Sequence, residues 1–475
     1  MIDRGDPPPY ASLPKPLGFR DLLLFYVATT FGLRWIATAA ASGPSALVIW
    51  LIGAAGLFVP LFFATLELSS RYPHEGGIYL WSRQAFGPFA GFITAWTYWC
   101  SNLPYFPSLL YFTAGNLLFV GGERWQALSG TAAYYLSVSL AGLAVAAWLN
   151  VRSLTFAKWL NNAGGIATWV VVAGVIALGG VSWMRYGSAT AMPARSFLPA
   201  TSLKDVVFWS TIAFAFGGIE SASSMADEIR DARRTVPRAV IAAAVSMTVL
   251  YIVGTLSILV AIPRERVSGL QGIMQAIEAV TTRTHTDGLL PVFAVALAIS
   301  SLGGVGAWFT AVARLPFVAG VDRFLPSAFG RLHPTWRTPH VALLSQAAIA
   351  ALFIVIAQAG TTVRGAYEVL VSMGIISYFI PFLFMFAAFV RVQRVSATAD
   401  VVRTPGGPRM AAGLGTLGLA TTLASIVFAA IPAGDDPHPV LAVVKIVGLS
   451  AAMCAIGVIV YATGAGNRTA ATFRN

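Results

Sequence analysis

Charge is what this sequence has least of. Asp, Glu, Lys and Arg together make up 11% of its 475 residues, while 57% are hydrophobic. A soluble globular domain carries about 25% charged residues, and a soluble chain of this length divides into roughly three domains with polar linkers. Neither pattern applies, because apolar residues run nearly end to end. Cysteine is almost missing: Cys100 and Cys454 lie far apart inside apolar runs, which excludes a disulfide framework and reads as buried packing. Histidine is as sparse. His74, His285, His333, His340 and His438 are scattered through loops without metal-ligand spacing, so no metal and no cofactor is expected. A nucleotide-binding P-loop pattern is also lacking, which removes an ATP-driven pump. No cleavable leader is read at the start of the chain, where residues 1–20 are polar and proline-rich (PPPYASLPKP) and read as a disordered cytoplasmic tail.

What is present in quantity is long apolar runs. A spanning helix needs about 20 mostly apolar residues, at about 1.5 Å rise each across a core of about 30 Å. Twelve segments qualify: 21–43, 45–68, 86–119, 130–149, 158–183, 204–227, 237–262, 288–316, 340–359, 365–392, 411–431 and 438–463. The net charge of +12 does not mark a nucleic-acid protein, because the arginines sit in short loops and not on one face. With the N-terminus in the cytoplasm, the cytoplasmic segments hold 21 Lys or Arg and the outward loops 8. That excess places both termini in the cytoplasm, in a cell membrane. In the outward loop 263–287, Leu270, Ile273, Met274 and Ile277 alternate with polar positions. This fits a short amphipathic helix lying on the membrane surface, or a loop helix packed on its neighbours.

Backbone polar groups cannot be left bare in lipid, so irregular backbone at mid-membrane implies a lined cavity. Two spans carry such a signal. Thr29-Thr30-Phe31-Gly32 interrupts the first, and Phe216-Gly217-Gly218 interrupts the sixth just before Glu220. They occupy matching places in two five-helix halves, 21–183 and 204–392, followed by two peripheral helices over 411–463 and a cytoplasmic tail over 464–475. Small residues also let helices pack closely, but two interruptions in register mark a transporter's substrate site. Half-helix N-termini offer free N–H groups to a carboxylate; half-helix C-termini offer carbonyls to an ammonium. The pair suits an α-amino acid.

Ionisable residues inside the spans are few: Arg34, Glu67, Glu220, Glu368 and Lys445. Arg34 lies about 20 Å into the membrane at about 1.5 Å per residue. It either binds a substrate carboxylate, or supplies a fixed positive charge, or pairs with a carboxylate to hold helices together. Glu220 follows the second break by two residues, where a buried carboxylate can hold a proton or meet a substrate amine. Glu67 and Glu368, nearer the span ends, read as structural.

Three stretches now place the chain beside a known family. ELSSRYPHEGGIYLWSRQAFGPFAGFITAW (67–96), FAFGGIESASSMADEIRDARRTVPRAV (214–240) and VDRFLPSAFGRLHPTWRTPH (321–340), with the weaker AASGPSAL (40–47), resemble the amino acid–polyamine–organocation (APC) superfamily over nearly the full length. The resemblance implies an all-α membrane protein of about twelve helices, with a five-plus-five inverted repeat, broken helices 1 and 6, and two peripheral helices. Its arginine/agmatine antiporter branch is similar over IESAS. By that likeness Glu220 falls at a gating, proton-sensitive glutamate, Phe214 at the aromatic lid over the substrate, Trp308 at the aromatic gate of the eighth helix, and Tyr98 at a further gating tyrosine.

The departures are specific too. Many relatives carry a Gly-Ser-Gly-Ile-Phe type of break, whereas this chain has Thr-Thr-Phe-Gly-Leu-Arg, nearer the glutamate/GABA antiporter branch. A lysine found mid-fifth-helix in some proton-coupled relatives is replaced by Ala167 or Thr168, and Arg34 is a candidate for the displaced charge. The expected function is a secondary carrier for an amino acid or related amine, with protons or a counter-substrate as partner. The substrate site would comprise Thr29, Thr30, Phe31, Gly32, Tyr98, Phe214, Phe216, Gly217 and Gly218, with Glu220, Trp308 and Arg34 gating or coupling it. A membrane transferase would need clustered carboxylates or histidines at one face, and a sensor would need a soluble signalling domain. Neither feature is seen. A carrier of a nucleobase or organic acid on the same fold is the alternative.

Overall fold

The computed structural model describes all residues except 1–17, 21, 22, 24–29, 73–76, 153, 200–202, 221–231, 322–324, 396–400, 433–437 and 473–475. Among the described residues there is no strand. The helices are α1 (Leu33–Ala41), α2 (Ser45–Arg71), α3 (Gly77–Phe86), α4 (Pro88–Leu117), α5 (Ala132–Arg152), α6 (Leu154–Tyr186) and α7 (Leu203–Ala215). They continue with α8 (Ala232–Ala261), α9 (Gly272–Thr284), α10 (Leu289–Val321), α11 (His340–Gln358), α12 (Val363–Val392), α13 (Gly407–Ala429) and α14 (Pro439–Gly464).

Ten of these are long and apolar enough to cross a membrane. The other two expected spans, the first and the sixth, are represented by α1 and α7, with 9 and 13 residues. Both are too short to span alone at 1.5 Å per residue. The shortness is the sign of interruption: α1 begins after the irregular Phe31 and Gly32, and α7 ends in the turn at Phe216 to Gly218.

The architecture is a five-plus-five inverted repeat with two further helices. An odd number of spans per half makes the second half enter the membrane from the side opposite the first. The packing repeats accordingly. The two most extensive pairings are α4 with α12 and α10 with α6, which are the third span on the tenth and the eighth on the fifth. The same exchange relates α1 on α8 to α7 on α2, and α5 on α10 to α11 on α4.

The outer surface is built for lipid. Trp159, Met184 and Val440 are more than two-thirds exposed, with no water-soluble face to account for them. Within the bundle, α6 and α10 meet backbone to backbone. A Cβ on Gly164 would lie 2.6 Å from the Cα of Gly303, and one on Gly303 equally close to Gly164. Nearby, Thr168 Oγ1 lies 2.6 Å from Ser300 Oγ, so a hydroxyl pair joins α6 and α10 at this level. The amphipathic 263–287 segment resolves as α9 packed on protein: Ile273, Met274 and Ile277 are buried against α1, α6, α8 and α10. Asn116 Nδ2 donates to the Leu270 carbonyl and Gln271 Nε2 to that of Gly115, tying this loop to the end of α4. The apolar stripe covers the bundle, not the membrane surface.

Candidate functional site

The two broken spans touch. Gly218 has φ +118, and a Cβ there would sit 2.9 Å from Thr30 Oγ1. Only glycine adopts that conformation readily and clears that contact. Tyr251, on α8, joins the breaks. Its hydroxyl accepts from the Gly32 amide at 3.1 Å, and its single hydrogen is shared between the carbonyls of Thr30 at 3.2 Å and Ala215 at 3.1 Å. These are backbone groups that a broken helix leaves without an intrahelical partner. The Tyr251 ring is fixed by stacking on Trp50, with centroids 4.2 Å apart, and on Phe31 at 4.8 Å. Trp50 in turn donates its Nε1 hydrogen to Thr255 Oγ1 at 3.0 Å, and Phe216 sets its ring edge-on to both Trp50 and Tyr251.

Glu220 follows immediately and is 2% exposed. Its Oε1 accepts from the hydroxyls of Tyr98 at 3.0 Å and Tyr378 at 2.6 Å, and Oε2 accepts from the Gly218 amide at 3.0 Å. One carboxylate therefore links the sixth-span break to α4 and α12. Gly217 makes room for this: a Cβ there would be 2.4 Å from the Tyr378 ring. Phe214, one helical turn earlier, stands edge-on to Trp35 at 5.4 Å and to Tyr378 at 5.0 Å. Trp308, on α10, lies edge-on to Tyr105 at 6.5 Å.

Arg34 lies on the first turn of α1 and is 2% exposed. Its guanidinium carbon is 4.1 Å from the centroid of Trp35 and 4.8 Å from that of Tyr105. Nη1 donates to Ser108 Oγ at 2.6 Å, and Ser108 passes its own hydrogen to the Tyr105 carbonyl at 2.8 Å. Trp35 takes this position because Gly32 leaves space for its indole, which a Cβ there would meet at 2.5 Å.

Of the expected site residues, Thr29 lies outside the described residues. Thr30, Gly32, Phe214, Gly217, Gly218, Tyr98 and Glu220 come together around the touching breaks, whereas Phe31 and Phe216 pack against the Tyr251–Trp50 pair. Trp308 and Arg34 meet through Tyr105. Glu67 is spoken for at the end of α2: its carboxylate accepts from Arg71, from Gln393 Nε2 at 2.9 Å, and from the Thr404 amide and hydroxyl at 3.1 and 2.8 Å. Glu368 pairs with Arg364 at 2.8 Å, and Lys445 Nζ caps the carbonyls of Ala357 and Ala359 at the end of α11. Sequence reasoning missed Tyr251, Tyr378, Trp35, Tyr105 and Ser108, which sit in apolar runs with no spacing to mark them. Trp35 alone had a signal, as an aromatic beside the buried Arg34.

The family model described as amino acid permease matches residues 17–460. An uncharacterised transporter of Legionella pneumophila is 26% identical over 89% of this chain and 91% of its own. A probable agmatine/putrescine antiporter of Lactococcus lactis is 22% identical over 87% and 88%. Among solved structures, MhsT in complex with L-phenylalanine is similar in fold, with a TM-score of 0.58 and 13% identity over 86% of this chain and 98% of that one.

Proposed function

The chain belongs to the amino acid permease family, and we propose that it is a secondary active carrier of an amino acid or related amine, seated in a cell membrane with both termini cytoplasmic. The observation that carries the reading is the pair of touching breaks with a buried carboxylate beside them. At the start of α1 free amide hydrogens and the positive end of the helix face the break, a seat for a carboxylate. At the end of α7 carbonyls and Glu220 offer the complement for an ammonium.

In this reading residues 21–183 and 204–392 act as two halves that rock around the site. Residues 411–463 are peripheral, and 1–20 and 464–475 are cytoplasmic tails. Phe214 lies over the substrate, with Tyr98 beside it, and Trp308 closes the α10 side. Glu220 exchanges partners as the site opens. In the form described it is held by Tyr98, Tyr378 and Gly218; a substrate ammonium or a proton would release those tyrosines and so report occupancy to α4 and α12. Coupling is then to protons or to a counter-substrate. No step calls for a metal or cofactor, and lipid is the surrounding partner.

The test is counterflow in proteoliposomes preloaded with a panel of unlabelled amino acids and amines. Accumulation of labelled substrate against one of them, lost in Glu220→Ala, is the expected result. Counterflow with nucleobases and with none of the amino acids or amines would overturn the substrate class.

A further inference from the structure

The carrier reading leaves amino acids and amines on an equal footing, and Arg34 separates them. An arginine cannot shed its charge inside a protein, and at membrane depth an ion needs a partner. Yet among the described residues no carboxylate pairs with Arg34. Among the described residues the salt bridges are Arg71–Glu67, Arg264–Glu265 and Arg364–Glu368, and Glu220 is held by its own donors. The two aromatic neighbours, Trp35 and Tyr105, hold the cation by their π-faces, an interaction that does not use up its N–H groups. Of five N–H donors, one is spent on Ser108. Close by, the buried Tyr367 hydroxyl lies within hydrogen-bonding reach of Arg34 and Thr38. Thr30 Oγ1 at the first break is buried and makes no hydrogen bond. Native interiors seldom leave such groups idle. A buried cation with no carboxylate partner among the described residues, a phenol at its side and a broken helix in the same region together suit the arrival of an anion.

Resting on the proposed carrier function, we infer that Arg34, with the Tyr367 hydroxyl beside it, receives a carboxylate of the transported substrate, which restricts the carrier to amino acids and shuts out their decarboxylated amines. A planar guanidinium and a phenol match the two oxygens of a carboxylate in direction and sign. An amine brings to the same place a second positive charge and no acceptor, so diamines and agmatine are repelled. The L. lactis relative named for agmatine and putrescine therefore handles a class that this chain refuses.

The experiment is thermal stabilisation of the purified full chain, which rises when a ligand binds the folded state. Wild type, Arg34→Gln, Arg34→Lys and Tyr367→Phe are titrated with L-alanine, L-glutamate, γ-aminobutyrate, putrescine, agmatine and sodium chloride. The expected result is saturable stabilisation of wild type by one or more of the three carboxylates and by neither amine. Arg34→Gln raises the apparent Kd at least roughly tenfold, as loss of a charged hydrogen-bonded contact does. Arg34→Lys keeps the charge without the fork and falls between, and Tyr367→Phe weakens the same ligands several-fold. Unliganded Arg34→Gln melts no lower than wild type, since its removal orphans no carboxylate; should that variant fail to fold, the Lys and Phe variants carry the comparison. Stabilisation of wild type by the amines, or an unchanged Kd in the variants, overturns the inference and leaves the carrier standing. Saturable stabilisation by chloride, lost in Arg34→Gln, gives the seat to an inorganic ion and overturns it as well. Silence from the whole panel together with no counterflow removes the carrier reading itself.

Discussion

The Tyr251 hydroxyl lies 3.1 Å from the amide nitrogen of Gly32, so a side chain on α8 secures the turn at which the first span stops being a helix. The same oxygen is 3.1 Å from the Ala215 carbonyl in the sixth span. Two interruptions distant in sequence thus depend on one hydroxyl. Tyr251→Phe keeps the ring and its stacking on Trp50 but leaves buried backbone groups without a partner. The expected cost is about 1–3 kcal/mol of stability, read as a lower melting temperature, with slower transport by the protein that remains folded.

Glu220→Gln tests the gate. In the carboxylate both oxygens accept, from two phenols on one side and a backbone amide on the other. An amide in that place must turn its NH2 group toward a donor whichever way it is flipped. The variant should reach the membrane in normal amount, bind more weakly, and show uptake whose dependence on pH is flattened. A pH profile of initial rates in proteoliposomes settles it: an unaltered profile would mean that the proton is handled elsewhere.

Gly217→Ala should act through Tyr378. The added methyl would lie 2.4 Å from the ring and 2.7 Å from its oxygen, and Phe214 and Phe382 flank the ring at 5.0 and 4.8 Å. The tyrosine must withdraw from Glu220, breaking a 2.6 Å hydrogen bond. Loss of a bond to a charged group corresponds to roughly a tenfold effect. Transport rates should fall by that order with surface expression retained, and pairing the change with Tyr378→Phe should add little.

Glu67 offers the contrast of a carboxylate fully engaged by its own partners at the end of α2. Removing it in Glu67→Ala takes away the acceptor that Arg71, Gln393 and the Thr404 amide share. Breaking a buried pair by deleting one partner costs roughly 3 kcal/mol. The melting temperature and yield should drop, while the substrate Kd of the folded fraction stays within about twofold. A shifted Kd with normal stability would move Glu67 into the transport machinery.

The sequence disclosed the breaks because glycine beside polar residues has no reason to sit in an apolar span unless the backbone departs from helix there. Glu220 was legible for a similar reason, as an acid where lipid or core would exclude one. Tyr251 and Tyr378 were not legible. An aromatic in an apolar run looks the same whether it turns inward, as Tyr378 does onto Glu220, or outward, as the 71% exposed Trp159 does; the direction of a side chain around its helix is fixed by neighbours remote in sequence. The stripe of α9 failed for the same reason, since alternation tells that a face is covered but not by what. For Arg34 the charge and its depth were readable, but the want of a carboxylate partner among the described residues was not.

The contact between Gly164 and Gly303 has a mechanical meaning. Elsewhere the two halves are keyed by interleaved rings and hydroxyls, which must be rebuilt if one half turns against the other. At the Gly164–Gly303 contact itself backbone meets backbone, so at that point α6 and α10 can turn on each other with the neighbouring Thr168–Ser300 hydroxyl pair to release. The crossing is therefore suited to be the pivot: motion amplified at the far ends of the helices leaves this point nearly still, and a side chain introduced at either glycine would jam the bearing without touching the cargo.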